Sequence, residues 1–94
     1  MVTAAVTERA YTNFLQAIGN DHTLKTYKDG LATLMRFCET KVPAKLLEGN
    51  TEFSEDRIKD FIAFQKKEGI STSLINTRLA AVRLFYEANR RVFV

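Results

Sequence analysis

Ser73, Asn76, Thr77, Ala80 and Arg83 are the residues whose types and spacing carry the most chemistry. Turned at 100° per residue, they gather on one side of a helix running from about Thr72 to Arg91. Hydroxyls and amides there donate to phosphate oxygens, and asparagine reads an adenine edge. Arginine grips phosphate or guanine with two donors at once. A solvated helix face is ordinarily dense in glutamate and lysine. Between Ser71 and Arg91 the basic residues are Arg78, Arg83, Arg90 and Arg91, against Glu87 alone. The helix start adds free N–H groups and the positive end of the dipole, which favour a phosphate. The competing reading is a plain solvated face, with Arg83 paired to Glu87 one turn on.

A second cluster, Thr23, Lys25, Thr26 and Lys28, opens an earlier helix. Lys25 and Lys28 point off that helix's apolar stripe, and Asp29 weakens their field. An ordinary solvated helix start accounts for this cluster equally well. Catalytic and metal chemistry find no such grouping. Cys38 falls on an apolar stripe, where a thiol is inert. His22 has no second histidine or nearby thiolate to complete a metal site. Tyr11, Tyr27 and Tyr86 fall on core faces. Glu55-Asp56 complements a helix dipole, and no glycine-rich phosphate loop occurs. The chain is therefore expected to have no active site, cofactor or metal of its own.

Four helices must position these residues. The first spans about Thr7 to Ile18, with Thr7 as cap beside Glu8 and Tyr11, Phe14, Leu15 and Ile18 on its apolar face. Gly19-Asn20-Asp21 ends it. The second spans about Thr23 to Glu39, capped by Asp21 or Thr23. Leu24, Tyr27, Leu31, Leu34, Met35 and Cys38 form its stripe. Gly30 interrupts this stripe at a cost of about 1 kcal/mol relative to alanine, which a close helix crossing explains. Residues 40–53 connect, with a short turn from Pro43 stopped by Gly49-Asn50. Val42, Leu46, Leu47 and Phe53 tuck that stretch onto the core. The third helix spans about Glu55 to Lys67, capped by Ser54 and closed by Gly69, with Ile58, Phe61, Ile62 and Gln65 on one face. The fourth, capped by Ser71, is the longest and most apolar and therefore central. Its stripe is Ile75, Leu79, Val82 and Tyr86.

The bulk numbers agree with one all-α domain over residues 1–94. A 94-residue chain makes a single domain. One proline and four glycines favour helices over a turn-rich sheet. The hydrophobic fraction of 46% is that of a globular domain, and net charge is +3. No apolar run approaches the roughly 20 residues that span a bilayer. The N-terminus has no signal-peptide pattern. A single cysteine rules out an internal disulfide, so a reducing, cytoplasmic setting is expected.

Three blocks together resemble the core-binding domain of tyrosine recombinases, the phage-type integrases. The first is Thr23-Leu24-Lys25-Thr26-Tyr27 followed by Leu31, Leu34 and Phe37-Cys38. The second is Glu52-Phe53-Ser54-Glu55-Asp56-Arg57-Ile58-Lys59-Asp60-Phe61-Ile62. The third runs from Gly69 to Tyr86, with Asn76, Leu79, Arg83 and Phe85-Tyr86 at the family's positions. The resemblance covers about Phe14 to Val92. It implies a four- to five-helix SAM-like bundle forming half of a C-shaped clamp on the recombination site. The second and fourth helices would face the major groove. By position, DNA contacts would come from Thr23, Lys25, Thr26, Lys28, Ser73, Asn76, Thr77, Arg78 and Arg83.

The family's chemistry uses an arginine, a lysine, a His-x-x-Arg box and a tyrosine nucleophile on a separate catalytic domain. None of that is present, since His22 is followed by Thr23-Leu24-Lys25. The expectation is a non-catalytic DNA-binding module of a site-specific recombinase, excised or truncated from its parent. Alone it is expected to be monomeric, and in the parent to sit on double-stranded DNA beside other recombinase protomers. The rival from a different class is a helical SAM-like protein–protein interaction module, which an exposed patch of Leu84, Phe37 and Phe64 would favour.

Overall fold

A computed structural model describes residues 2–19 and 21–90. The chain forms α1 (Val2–Ile18), α2 (Asp21–Phe37), a short 3-10 turn (Pro43–Leu47), α3 (Thr51–Lys67) and α4 (Thr72–Ala88). No strand occurs among the described residues. The all-α expectation holds. Each of the four α-helices is 17 residues long, so α4 is not the longest. It is nevertheless central, packing chiefly on α2 and then on α1.

The helix boundaries follow local chemistry. Gly19, at φ +62, ends α1. α3 closes in a Schellman arrangement, with Gly69 N–H on the Lys66 carbonyl at 3.1 Å and Ile70 N–H on Gln65 at 3.0 Å. α2 closes the same way on Arg36 and Met35, but with Glu39 at φ +55 in the position glycine prefers. Ser71 caps α4 as expected, accepting from Leu74 N–H at 3.2 Å. α3 departs from expectation by a full turn. Asn50, not Ser54, is its cap, accepting from Phe53 N–H at 2.8 Å. Ser54 is instead a fully buried residue inside the helix. α1 and α2 also start earlier than expected, so Thr7 and Thr23 lie inside them. The side chains of Thr7, Glu8, Asp21 and His22, and the expected helix end at Arg91, lie outside the described residues.

Phe14, Leu31, Leu34, Leu46, Phe61, Val82, Phe85 and Tyr86 form the sealed core. Phe53 was expected there, but it is 52% exposed, with the Arg57 guanidinium 4.7 Å above its ring. Two polar clusters lock the buried side of α4. Tyr86 donates its hydroxyl to the Leu46 carbonyl at 2.8 Å, and Arg57 Nη1 donates to the same oxygen at 3.3 Å. Asn89 Nδ2 donates to the Ala10 and Phe85 carbonyls, while its Oδ1 accepts from Asn13. The first cluster ties α4 to the 3-10 turn and α3. The second ties it to α1.

α2 and α4 meet backbone to backbone at Gly30. A Cβ placed there would lie 2.8 Å from Ala81 Cβ and 3.3 Å from Arg78 Cα. Overpacking of this kind costs about 1–3 kcal/mol, against a gain of about 1 kcal/mol in helix propensity. With a net cost of up to about 2 kcal/mol, Gly30→Ala is expected to lower the melting temperature, by up to about 8–16 °C, and Ala81→Gly in the same chain to restore part of it. A melting curve that rises on Gly30→Ala would show that the two helices separate freely.

Burial raises the Tyr86 phenol above its ordinary value near 10, with the Arg57 charge opposing the shift. The folded state thus holds this proton more tightly than the unfolded state. The stability it confers is whole below about pH 10 and is lost as pH rises through the folded pKa. Tyr86→Phe should cost about 1 kcal/mol at neutral pH and should flatten the decline above pH 10. Denaturant titrations of both chains between pH 7 and 11 check this. Parallel declines would remove the phenol from the account.

Candidate nucleic-acid interface

The Gly30–Ala81 crossing brings polar residues of α2 and α4 into shared grooves. Thr23 lines one with Tyr27 of α2 and Ala80, Arg83 and Glu87 of α4. Thr26 lines a second with Thr77 and Arg78 of α4. The first groove borders the exposed side of α4, and the second runs along its inner flank, where Leu74 and Arg78 sit beside buried Ala81.

On α4, Ser73, Asn76, Ala80 and Arg83 are all exposed. Counting 100° per residue from Ile75, they fall within about 80° of one another, opposite buried Ala81, Val82 and Phe85. The ion pairs among the described residues are Lys25–Asp29 and Lys45–Glu48, so Arg83 is not paired with Glu87. Thr77 is half-buried, and its hydroxyl donates to the Ser73 carbonyl at 3.0 Å. No acid occurs from Ser71 to Arg83. The exposed α4 start, Ser71-Thr72-Ser73, adds the positive end of the helix dipole.

Arg78 differs from its neighbours. It is half-buried beside Gly30, and its Nη1 donates to Gln65 Oε1 at 2.9 Å. Gln65 is itself buried, donating to the Phe61 carbonyl at 3.4 Å. One of the Arg78 nitrogens thus ties α4 to α3.

On α2, Lys25 and Thr26 are exposed. Lys25 Nζ lies 3.8 Å from Asp29 Oδ2, but the two side chains are 89% and 70% exposed. A pair so open to water is weak and yields readily to a stronger anion. Lys28 is exposed on the opposite flank, about 160° round the helix from Thr26. It borders an apolar hollow with Tyr11, Met35, Lys41 and Pro43. The structure therefore places Thr26 with Thr77 in one groove and Thr23 with Arg83 in another, and leaves Ser73 and Asn76 exposed on α4 and Lys25 exposed beside Asp29 on α2. Lys28 is set apart.

Sequence reasoning missed three further groove residues, Asp29, Thr33 and Arg36. The signal was present: with Thr26 they recur at intervals of three, four and three, one stripe of a helix. Phe37 and Phe64 pack with tilted rings, their centroids 5.2 Å apart. Leu84 lines the groove beside Tyr27, ten residues and roughly 15 Å down α2 from Phe37. The apolar patch expected of a protein-docking module is therefore not continuous. No group of three or more possible metal ligands occurs among the described residues. Burial raises the Cys38 thiol, against the opposing charge of Arg57, which disfavours the reactive thiolate. No described helix is long and apolar enough to cross a membrane.

Comparison with known proteins adds one finding. Residues 8–91 match the family model described as phage integrase, N-terminal SAM-like domain. Neither a search of curated proteins nor one of solved structures returns a match. The match spans nearly the whole chain and concerns the N-terminal part of integrases rather than their catalytic domain, so the chain belongs to the phage integrase N-terminal SAM-like domain family.

Proposed function

We infer that this chain is the DNA-contacting module of a site-specific tyrosine recombinase, clamping the recombination-site duplex for integration or recombination. The observation that carries the reading is the face built by α2 and α4. Ser73, Asn76 and Arg83 share the exposed side of α4, and Arg83 lines a groove with Thr23 of α2. Lysine and arginine release counterions from the phosphate backbone, while hydroxyls and the asparagine amide set register. Catalysis would belong to a separate domain of the parent protein. The partners are double-stranded DNA and, in that parent, other recombinase protomers on the same DNA. A cytoplasmic location accompanies this reading.

Most of the affinity is electrostatic on this view. With about four phosphates neutralised, the slope of log K against log salt is expected near −3.6. Replacing Arg83 and Lys25 by alanine removes about two of those contacts and should bring the slope to about −1.8. Helicity and melting temperature should stay unchanged, because both side chains are exposed. Fluorescence anisotropy of a labelled duplex across a salt series checks this. Absence of binding at low salt, or affinity indifferent to salt, would sink the reading.

A further inference from the structure

We propose that the apolar hollow between α1 and α2 docks an acidic, amphipathic helical segment of a partner protein, with Lys28 and Lys41 receiving its carboxylates; this goes beyond the DNA-contact reading and does not rest on it. The hollow holds about 400 Å³. Leu31, Ala32 and Met35 of α2 form one side, on a single stripe that begins at Lys28. Tyr11 of α1 and Pro43 of the 3-10 turn complete it.

The first observation behind this is the pattern of the floor. Positions 28, 31, 32 and 35 are i, i+3, i+4 and i+7, the register of a helix face that receives another helix laid along it. Leu31 and Pro43 are buried, whereas Tyr11, Ala32 and Met35 are half-buried and keep apolar surface for a ligand. Tyrosine and methionine are enriched where proteins meet, the second because its flexible thioether fits uneven surfaces. The next observation is charge. Lys28 and Lys41 both line the hollow and both are exposed, and no acid lines it. Neither lysine is in an ion pair among the described residues. The two grooves between α2 and α4 differ, since each holds its own acid, Asp29 or Glu87.

The spacing of the two cations selects the occupant. Lys28 stands at one end of the stripe. Lys41 belongs to the segment that leaves α2 past the other end, where Thr40 N–H is bonded to the Met35 carbonyl at 2.9 Å. From position 28 to 35 the stripe is about 10.5 Å long. Carboxylates two helical turns apart therefore match both lysines, while apolar side chains between them sit on Ala32 and Met35. A small amphiphile with a single anionic head leaves one lysine unanswered. A second copy of this chain is a poorer match. Its exposed Phe53 has acids nearby at Glu52 and Asp56, but the Arg57 guanidinium lies 4.7 Å over that ring and would meet the lysines. Lys28 is about 160° round α2 from Thr26, so an occupant of the hollow leaves the Thr26 side of the helix open.

The test uses an alanine-rich helical peptide of about 18 residues with Glu-x-x-Leu-Leu-x-x-Glu at its centre. Titrated into the isotope-labelled 94-residue chain, it should shift the amide resonances of Leu31, Ala32 and Met35 and leave those of Asn76 and Arg83 in place. Glutamine at both acid positions should weaken binding about two- to 30-fold, and alanine at both leucines by about tenfold or more. Lys28→Glu with Lys41→Glu should bind this peptide more weakly still, and should gain binding to a counterpart with lysine at both acid positions. Circular dichroism melts matching the parent's establish that the double variant keeps the fold. No shift at about 1 mM peptide, or affinity unchanged by glutamine, overturns the proposal. So do shifts from octanoate where the peptide gives none, which would assign the hollow to a small amphiphile. A dimer in sedimentation that the double variant abolishes also overturns it, and would assign the hollow to a second copy of the chain.

Discussion

The contact between Gly30 and Ala81 is the constraint on which the surface chemistry depends. Most helix pairs keep their axes 8–10 Å apart because side chains stand between them. Here the missing Cβ lets the α2 backbone reach the Cα of Arg78 and the methyl of Ala81. The residues flanking that point on both helices are drawn to the same narrow grooves. Thr26 then lies across from Thr77, and Thr23 across from Arg83. A larger side chain at position 30 would leave each helix intact and widen the gap between their polar edges. The glycine sacrifices helix propensity in the middle of α2, and the crossing it permits offsets that loss.

A face is available for a ligand only if the opposite face is held. The buried side of α4 is fastened at two levels. Near its end, Asn89 bridges the Ala10 carbonyl and the Asn13 amide on α1. One turn earlier, Tyr86 and Arg57 share the Leu46 carbonyl, a group that the 3-10 turn presents to the core. Buried polar groups are costly unless satisfied, and no buried side-chain nitrogen or oxygen among the described residues lacks a partner. These bonds use up the polar groups facing inward. The outward polar groups of α4, apart from the Thr77 hydroxyl, are left to the solvent side.

The division between core and surface was legible from periodicity, and the placement of individual polar residues less so. The stripes through Phe14, Leu31, Leu34, Phe61 and Val82 read directly as core, as did the need for a close crossing at Gly30. What escaped was which of two candidates local geometry selects. Ser54 and Asn50 are both good caps in isolation. Ser54 is instead buried with its side chain hydrogen-bonded to Tyr86, and the cap falls to Asn50, one turn earlier. Arg78 sits only three residues from Ile75 and so falls on the inner side of α4. Its link to Gln65 depends on where α3 docks, which no local pattern encodes. Lys28 counts as a neighbour of Thr26 along the chain, although two steps of 100° carry it to the far flank of α2. Asp29 entered the sequence reading as a nuisance to a basic field, because the groove around it exists only after α2 and α4 are packed.

That acid bears on how a mildly basic module works. A net charge of +3 supports weak, salt-sensitive attraction and little more. Adding cations to the face would raise affinity for any duplex, and with it affinity for every wrong site. A carboxylate among the cations has the reverse effect. It lowers affinity wherever it meets phosphate or a base-edge acceptor, and spares the alignment in which an amino group faces it. Specificity is a difference between affinities, and a repulsive group widens that difference without strengthening the right complex. On the DNA-contact reading proposed above, Asp29 beside Lys25 would therefore trade affinity for discrimination between alignments of the duplex.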